Sequence, residues 1–257
     1  MEIYVLASGS KGNLTYIKTD KLSFFIDAGI VYSKIVKKME EYGENIDNID
    51  ALFLTHEHTD HTAGLKRLLS KDIIKDIFLT QGTFEALSKE VTDMFPKTHI
   101  IKADQKFQYK SLDILPIMIS HDANEPVGYI FHSDNKKVVI ITDTGYVDDS
   151  YHEALKDANF YLLESNHHPE KLLKSKRPYI LKQRILGITG HLSNDDATYL
   201  LNKLIHKDSK SIWVAGHISE DCNSVYDIEK SIVDNFDNPL KIEVHYSSQE
   251  SLPVIKI

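Results

Sequence analysis

The sequence predicts an α/β fold in which sheets are stacked between layers of helices, and it predicts one domain spanning residues 1–257. Short apolar strands alternate with segments of helical spacing along the whole chain. No linker, internal repeat or low-complexity segment divides it. The 257 residues, of which 42% are hydrophobic and 26% charged, have the composition of one large globular domain rather than of a disordered or fibrous chain.

The first three strands are predicted from runs of β-branched and aromatic residues over residues 2–7, 14–18 and 22–26. Residues 8–13 are predicted to form a polar hairpin turn. The glycines of this turn differ from those of a phosphate-binding loop, because no helix and no Gly-Lys-Ser/Thr sequence follows them.

The remaining elements follow from periodicity and from capping residues. Thr62 is expected to cap the second predicted helix and Ser193 the fourth. Helices are predicted over residues 32–42, 63–69, 83–94, 194–206 and 224–234. Strands are predicted over residues 51–54, 76–79, 98–101, 112–119, 127–132, 137–141, 160–163, 211–215 and 241–245.

Composition also limits the location and the partners of the protein. The chain has no apolar run long enough for a membrane span, no basic head of a secretory signal, and a single cysteine, Cys222. These features predict a cytoplasmic protein with no membrane partner. The formal charge of −8 argues against broad binding to nucleic acid.

One segment departs from this acidic average. Residues 171–184 contain six basic residues and no acidic residue, namely Lys171, Lys174, Lys176, Arg177, Lys182 and Arg184. Two interpretations stand side by side: a solvated helix face, or a surface that binds the backbone of a polyanion.

The most informative segment is residues 55–61, Thr-His-Glu-His-Thr-Asp-His, which follows a predicted buried strand. A loop that leaves such a strand can direct alternate side chains into one pocket. His56 and His58 are therefore expected to form one pair of metal ligands. Asp60 and His61 are expected to turn toward a second ion.

Three further polar residues, each just beyond a predicted strand, complete the expected ligand set: His121, Asp143 and His217. One ion is assigned to His56, His58 and His121, and the other to Asp60, His61 and His217, with the carboxylate of Asp143 bridging the two. Nitrogen and oxygen ligands of this kind suit zinc, and also manganese or iron.

This pattern resembles the metallo-β-lactamase superfamily. The resemblance implies an αββα four-layer sandwich with a dinuclear site at its edge, and hence two divalent metal ions as cofactors. Asp27, in the sequence Phe-Ile-Asp-Ala-Gly, matches the first motif of that superfamily. The resemblance implies that this aspartate supports the metal ligands rather than binding metal itself.

The chain is more similar still to the YycJ/WalJ-like branch, whose members are 5′-to-3′ exonucleases acting on DNA. The matching stretches are residues 7–13, 121–129, 164–167, 181–185, 190–194 and 217–219. Two positions depart from the branch pattern. His168 stands where the branch usually has aspartate, and Cys222 replaces the first of two asparagines. The resemblance implies a nucleic acid substrate, DNA rather than RNA.

The expected chemistry is hydrolysis of a phosphodiester by a hydroxide that bridges two divalent ions. Asp60 is expected to be catalytic as well as a ligand. The leaving oxygen needs a proton donor or another stabilising group, and the candidates are His191 and His167. Of the two, His191 ranks first because it lies in a Gly-His-Leu-Ser turn just before a capped helix.

Several alternative functions share parts of this pattern. A small-molecule (cyclic) phosphodiesterase and an RNA-processing nuclease share both the fold and the chemistry. A thioester hydrolase would need an added helical region, a redox protein a flavin domain, and a true β-lactamase an export signal. A non-catalytic DNA-binding module would not need the two-metal ligand set.

Overall fold

The computed structural model describes residues 1–47, 49–206 and 208–257. By their internal contacts these residues divide into two compact units. The first comprises residues 1–105, 123–127 and 248–257, and the second comprises residues 106–122 and 128–247. The sequence-based division into one domain over residues 1–257 stays a prediction.

The first unit is built on a seven-stranded mixed sheet, numbered here in chain order. Its strands are β1 (Glu2–Ala7), β2 (Leu14–Lys18), β3 (Ser23–Ile26), β4 (Ile49–Phe53), β5 (Ile74–Thr80), β6 (Lys97–Ile101) and the C-terminal β14 (Ile255–Lys256). The sheet order is β14-β1-β2-β3-β4-β5-β6. β1, β2 and β3 pair antiparallel through tight turns, as predicted for residues 8–13, and β3 to β6 are parallel.

The helices of this unit are short. They are α1 (Tyr32–Glu41), α2 (Thr59–Thr62), α3 (Leu65–Leu69), α4 (Gln81–Ala86) and α5 (Lys89–Thr92). Ile35 and Met39 of α1 and Leu65 and Leu68 of α3 pack into one apolar core with the strands. This placement follows from helical spacing, which puts residues three or four apart on the same face.

The second unit repeats the design with a second seven-stranded sheet. Its strands are β7 (Phe107–Tyr109), β8 (Leu112–Met118), β9 (Val127–Ser133), β10 (Lys136–Ile141), β11 (Phe160–Glu164), β12 (Ser211–Gly216) and β13 (Ile242–Tyr246). The order is β13-β12-β11-β10-β9-β8-β7. β10 to β13 are parallel, whereas β9 pairs antiparallel with β10 and β7 with β8.

The helices of the second unit are α6 (His152–Leu155), α7 (Pro169–Lys174), α8 (Tyr179–Leu186), α9 (Asn194–Leu204) and α10 (Val225–Asn235). Trp213 of β12 is fully buried in the core of this unit. Its indole N–H donates to the carbonyl oxygen of Leu163 on the neighbouring strand at 3.0 Å. The polar edge of the largest core side chain is therefore satisfied inside the sheet.

Two sequence-based predictions about helices were wrong. Residues 83–94 form two helices rather than one, because Leu87 and Ser88 adopt extended backbone angles and separate α4 from α5. Thr62 ends α2 and does not cap the next helix. Its hydroxyl donates back to the carbonyl oxygen of His58 at 3.0 Å, a local bond that competes with capping.

Candidate metal centre

The carboxyl ends of three neighbouring parallel strands in the second unit carry polar residues. β10, β11 and β12 lie in a register that pairs Ile141 with Leu163 and Leu163 with Ala215. Parallel strands end at the same edge of a sheet, so the residues that follow them emerge together. The side chains that meet at this edge are those of Asp143, Glu164 and His217.

Asp143 and His217 form a compact cluster of potential metal ligands with His191, which lies just before α9. One ligand atom from each lies within 4.8 Å of the others. The Nε2 atom of His217 is 3.2 Å from Oδ1 of Asp143. The His191 and His217 rings stack with centroids 4.9 Å apart. Imidazole and carboxylate donors are accepted by zinc and manganese, so the neighbouring Asp143 and His217 fit a divalent ion, with His191 beside them.

Glu164 holds this cluster together, and sequence reasoning gave it no role. Its side chain is fully buried at the end of β11. One oxygen lies 3.0 Å from Nδ1 of His191. The other oxygen accepts the backbone N–H groups of Thr144 at 2.6 Å and Leu192 at 3.2 Å. The available signal was an ionisable residue at the end of an apolar strand, which requires a compensating partner.

The electrostatics of the cluster favour a protonated His191. Burial lowers the pKa of His191, but the adjacent Glu164 carboxylate outweighs it and raises that pKa to about 9. By contrast, burial lowers the pKa of His121 despite the opposing charge of Asp143. A neutral imidazole is the form that binds metal. Burial thus favours a neutral His121, whereas the Glu164 carboxylate favours a protonated His191.

The Nδ1 atom of His217, the ring nitrogen that does not face Asp143, is also held in place. The side-chain amide of Asn166 lies 3.1 Å from Nδ1 of His217 and donates to its backbone oxygen at 2.8 Å. A carboxylate oxygen of Glu164 is 3.6 Å from the same ring nitrogen. Metal-binding histidines characteristically have their second nitrogen fixed by such a partner. Asn166 lies in the Glu-Ser-Asn-His stretch that carries the family resemblance.

The histidine-rich loop of the first unit has its own ordered geometry. The Nε2 atom of His56 is 3.1 Å from Nδ1 of His58, and the two rings meet edge to face. Oδ2 of Asp60 is 3.8 Å from Nε2 of His61. The His56 ring is closer still to that of His61, with centroids 4.0 Å apart against 4.7 Å for His58. The division of these residues between two ions stays a prediction.

Asp27 holds the histidine-rich loop through hydrogen bonds to two of its residues, Thr55 and His61. Its carboxylate lies 2.7 Å from Nδ1 of His61 and accepts the backbone N–H of Thr55 at 2.8 Å and the hydroxyl of Thr55. The bond to His61 has the geometry of a carboxylate that orients a ligand histidine. The sequence resemblance implied such a supporting position for Asp27.

The polar turn at residues 8–13 also supports the loop, although the sequence indicated mainly a hairpin. The Asn13 side-chain amide lies 3.0 Å from Nε2 of His61, and its backbone N–H donates to the carbonyl oxygen of Asp60 at 2.8 Å. Gly29 lies against the same backbone so closely that a Cβ atom there would be 1.7 Å from the oxygen of Asp60. Only glycine permits this approach.

Three of the site residues adopt left-handed backbone angles that non-glycine residues rarely use. Asp27 has φ 57°, Asp143 has φ 57° and His217 has φ 48°. Each stands within two residues of the end of a strand. Such conformations cost roughly 1–3 kcal/mol each and persist at functional sites where the surroundings enforce them.

His167, the second candidate for proton transfer, is buried within the second unit. Its backbone pairs with Ser193, and neither ring nitrogen has a hydrogen-bond partner among the described residues. Burial lowers its pKa to about 4 despite the nearby charge of Glu164. A neutral, unpartnered imidazole is a costly feature, and its role stays a prediction.

The two departures from the branch pattern lie next to each other. The backbone N–H of His168 donates to the carbonyl oxygen of Cys222 at 2.9 Å. Cys222 is fully buried with Leu172 and Ile185. An apolar thiol thus fills a small core at this point, beside an imidazole that replaces a carboxylate.

The basic stretch, residues 171–184, covers most of α7, the turn after it and most of α8. Neither helix was among those predicted by periodicity. Most of its charges have partners within the second unit. Lys171 pairs with Asp227, Lys174 with Glu170, Arg177 with Asp221 and Arg184 with Asp122, while Lys182 donates to the carbonyl oxygens of Leu173 and Ser175. Lys176 is exposed and has no ion pair or hydrogen bond among the described residues. A role for this stretch in binding nucleic acid stays a prediction.

Within residues 1–47, 49–206 and 208–257, the longest helices have 11 residues, and none is long and apolar enough to span a membrane.

Comparison with known proteins identifies the family of this chain. The family model described as "Beta-lactamase superfamily domain" matches residues 24–218. The chain is 34% identical to the exodeoxyribonuclease YycJ of Bacillus anthracis, covering 85% of this chain and 83% of that protein. It is 35% identical to the exodeoxyribonuclease WalJ of Streptococcus pneumoniae, covering 85% of this chain and 82% of that protein.

Among solved structures, the metallo-β-lactamase fold protein YhfI from Bacillus subtilis superposes with a TM-score of 0.74. The match covers 99% of both chains at 16% sequence identity. This similarity confirms the predicted α/β fold class of metallo-β-lactamase type. The family match and the two exodeoxyribonuclease relatives make the chain an enzyme of the hydrolase class. The chain belongs to the metallo-β-lactamase superfamily and, within it, to the YycJ/WalJ-like branch.

Proposed function

We propose that this chain is a metal-dependent phosphodiesterase, and specifically a 5′-to-3′ exonuclease acting on DNA. The observation that carries the proposal is the pair of potential ligands Asp143 and His217 at the carboxyl edge of three parallel strands, with the potential proton donor His191 beside them. Support comes from relatives named exodeoxyribonucleases, which are 34–35% identical over most of their length.

The proposed cofactors are two divalent ions, zinc or manganese, with iron as a further possibility. Their proposed ligands are those expected from the sequence: His56, His58 and His121 for one ion, Asp60, His61 and His217 for the other, and Asp143 between them. When bound, such a pair supplies a nucleophile at neutral pH and neutralises charge that develops on the phosphate.

The residues of the chain supply the remaining requirements. Glu164 fixes Nδ1 of His191 at 3.0 Å, which leaves the other ring nitrogen available to substrate. The Glu164 carboxylate raises the pKa of His191 to about 9, which favours the protonated imidazole. We assign to His191 the donation of that proton to the leaving oxygen. His167 remains the alternative donor.

The test combines metal content with nuclease activity. Protein purified without added metal is analysed for bound metal, then assayed with zinc or manganese on end-labelled single- and double-stranded DNA. We expect two ions per chain and stepwise release of nucleotides from the 5′ end. Asp60→Ala and His121→Ala should each abolish turnover with an unchanged circular dichroism spectrum. The exposed-site controls Asp234→Ala and His206→Ala should keep full activity.

Three results would redirect the proposal. Hydrolysis of a small cyclic or model diester without any release from DNA would favour a small-molecule phosphodiesterase. A clear preference for RNA ends would favour an RNA-processing nuclease. Binding of DNA with no hydrolysis by metal-loaded protein would favour a non-catalytic DNA-binding module.

A further inference from the structure

The second unit contains a half-open pocket that the proposed chemistry does not use. It has a volume of about 260 Å³. Its lining combines the loop after β10 with α6, α9 and the residue after His191. The aromatic and charged residues of the lining include Tyr146, Asp149, Asp196, Tyr199 and Lys203.

The pocket adjoins the metal cluster through two short connections. One wall begins at Gly145, two residues beyond Asp143, a separation of at most about 7 Å along the chain. The other includes Leu192, which directly follows His191. The buried Glu164 carboxylate joins the two walls, because the same oxygen accepts the N–H groups of Thr144 and Leu192. The end of the pocket at Gly145 and Leu192 is therefore within two residues of Asp143 and His191.

The lining suits a flat, uncharged ring. Leu192 and Leu200 are buried and form an apolar floor. The rings of Tyr146 and Tyr199 are 48% and 57% exposed, so both are accessible to a ligand in the pocket. The Lys203 ammonium lies 4.3 Å from the centre of the Tyr199 ring, which stiffens that ring.

The pocket carries two carboxylates, from Asp149 and Asp196, and one ammonium group, from Lys203. The carboxylates would repel a phosphate, and the ammonium lies over the Tyr199 ring. Asp149 lies 3.3 Å from His152, and Asp196 accepts the hydroxyl of Ser193 at 2.6 Å. Carboxylate oxygens instead accept hydrogen bonds from the exocyclic amino groups of nucleobases.

We propose that this pocket binds the nucleobase adjacent to the phosphodiester that is cleaved, with Tyr199 and Tyr146 as stacking surfaces. The inference rests on the proposed function, since it names the part of a DNA chain that the site holds beside its reacting phosphate. Stacking on aromatic side chains is the usual way in which proteins bind unpaired bases without regard to sequence. The released nucleotide must therefore be unpaired when it is cleaved.

The test compares Tyr199→Ala with Tyr199→Phe and with Tyr226→Ala, an exposed tyrosine of α10. The substrates are single-stranded oligonucleotides that carry either adenine or an abasic tetrahydrofuran residue at one end, with each end modified in turn. We expect wild type to prefer the base-bearing end by roughly tenfold or more in kcat/KM, chiefly through KM. Tyr199→Ala should lose this preference, whereas Tyr199→Phe and Tyr226→Ala should keep it.

A second readout does not depend on turnover. In chelated protein, saturation-transfer NMR should show deoxyadenosine ring protons in contact with wild type and Tyr199→Phe, but not with Tyr199→Ala. Equal rates on adenine and abasic ends, equal slowing of both by Tyr199→Ala, or absence of NMR contact in wild type would overturn the pocket assignment. Absence of nuclease activity with intact NMR contact would instead count against the proposed exonuclease and leave base binding supported.

Discussion

The carboxylate of Glu164 lies 3.0 Å from Nδ1 of His191 while its other oxygen accepts two backbone N–H groups. One fully buried side chain thus fixes the orientation of an imidazole and the two loops that flank it. Glu164 also lies 3.6 Å from a ring nitrogen of His217. A conservative replacement of Glu164 should therefore disturb the orientation of the two histidines while the chain still folds.

We expect Glu164→Gln to lower turnover by roughly 10- to 100-fold, the usual cost of losing a group that orients a metal-site histidine. The amide can still accept a backbone N–H but presents an NH₂ group where His191 needs an acceptor. Turnover numbers and bound metal per chain are the measurements. Glu243→Gln is the matched control, because Glu243 pairs with His245 at 2.9 Å on the exposed surface. Equal losses in both variants would contradict the assignment.

Asp27→Asn tests the support beneath the histidine-rich loop. Asparagine tolerates the left-handed backbone at this position, so the backbone should survive the change. The variant loses a charged hydrogen bond to His61 or Thr55, and we expect a loss of about 2 kcal/mol in unfolding free energy. We also expect a roughly 10- to 100-fold loss in metal affinity.

Urea unfolding and metal titration measure the two effects of Asp27→Asn. Asp134→Asn provides the control, because Asp134 is exposed and also has positive φ, 48°. If Asp27→Asn bound metal as tightly as wild type, the supporting role would have to be abandoned.

Two lysines of the basic stretch should respond differently when they are replaced by glutamate. Lys182→Glu removes bonds to two carbonyl oxygens near the end of α7 and should reduce stability by about 1 kcal/mol. Lys176→Glu alters an exposed charge, so it should leave stability unchanged. If the stretch contacts DNA, Lys176→Glu should weaken binding equally for all sequences and reduce the salt slope by about 1.

Thermal unfolding and DNA binding at several salt concentrations separate these effects. Lys34→Glu, an exposed lysine of α1, corrects for the general change in net charge. Should Lys176→Glu and Lys34→Glu weaken binding to the same small extent, the stretch would be a solvated surface and not a DNA contact.

His167 should make stability depend on pH. Its pKa is lowered by burial to about 4 in the folded protein, against about 6.5 in the unfolded chain. Between these values the unfolded state binds the proton and the folded state does not. The free energy of unfolding therefore falls as pH drops from 6.5 toward 4, by about 2 kcal/mol from this residue.

The measurement is urea unfolding at pH 7.0 and pH 4.5 in a chelator, so that metal release does not contribute. His167→Asn should show a flatter pH dependence than wild type. The exposed-site variant His206→Asn should match wild type. Identical slopes in wild type and His167→Asn would show that the ring is solvated and that its burial has no energetic consequence.

Local sequence signals determined much of the architecture. The β-branched and aromatic runs placed strands such as Glu2–Ala7 and Leu14–Lys18 at their observed bounds. Ser193 caps α9 as predicted, its hydroxyl oxygen accepting the N–H of Asp196 at 3.1 Å. These features depend on neighbouring residues, whose preferences for strand or cap positions can be recognised in the sequence.

The histidine-rich loop could also be predicted from the sequence, because four potential ligands within six positions are recognisable without any distant partner. The break between α4 and α5 could not be predicted from the sequence. Residues 83–94 have no proline to end a helix, and the extended angles at Leu87 and Ser88 arise where the helices pack on their own unit. Tertiary packing overrides helix propensity at such places.

The sequence by itself determined the family, the fold class and the types of ligand, because these are carried by motifs of adjacent residues. Only the tertiary structure decided that Glu164 binds His191, that Asn13 and Asp27 hold His61, and that most charges of the basic stretch are already paired. These contacts of Glu164, Asn13 and Asp27, and the pairs Lys171–Asp227 and Arg184–Asp122, join residues 27 to 62 positions apart. Parallel strand register and loop packing create such pairs, and neither leaves a local signature in the chain.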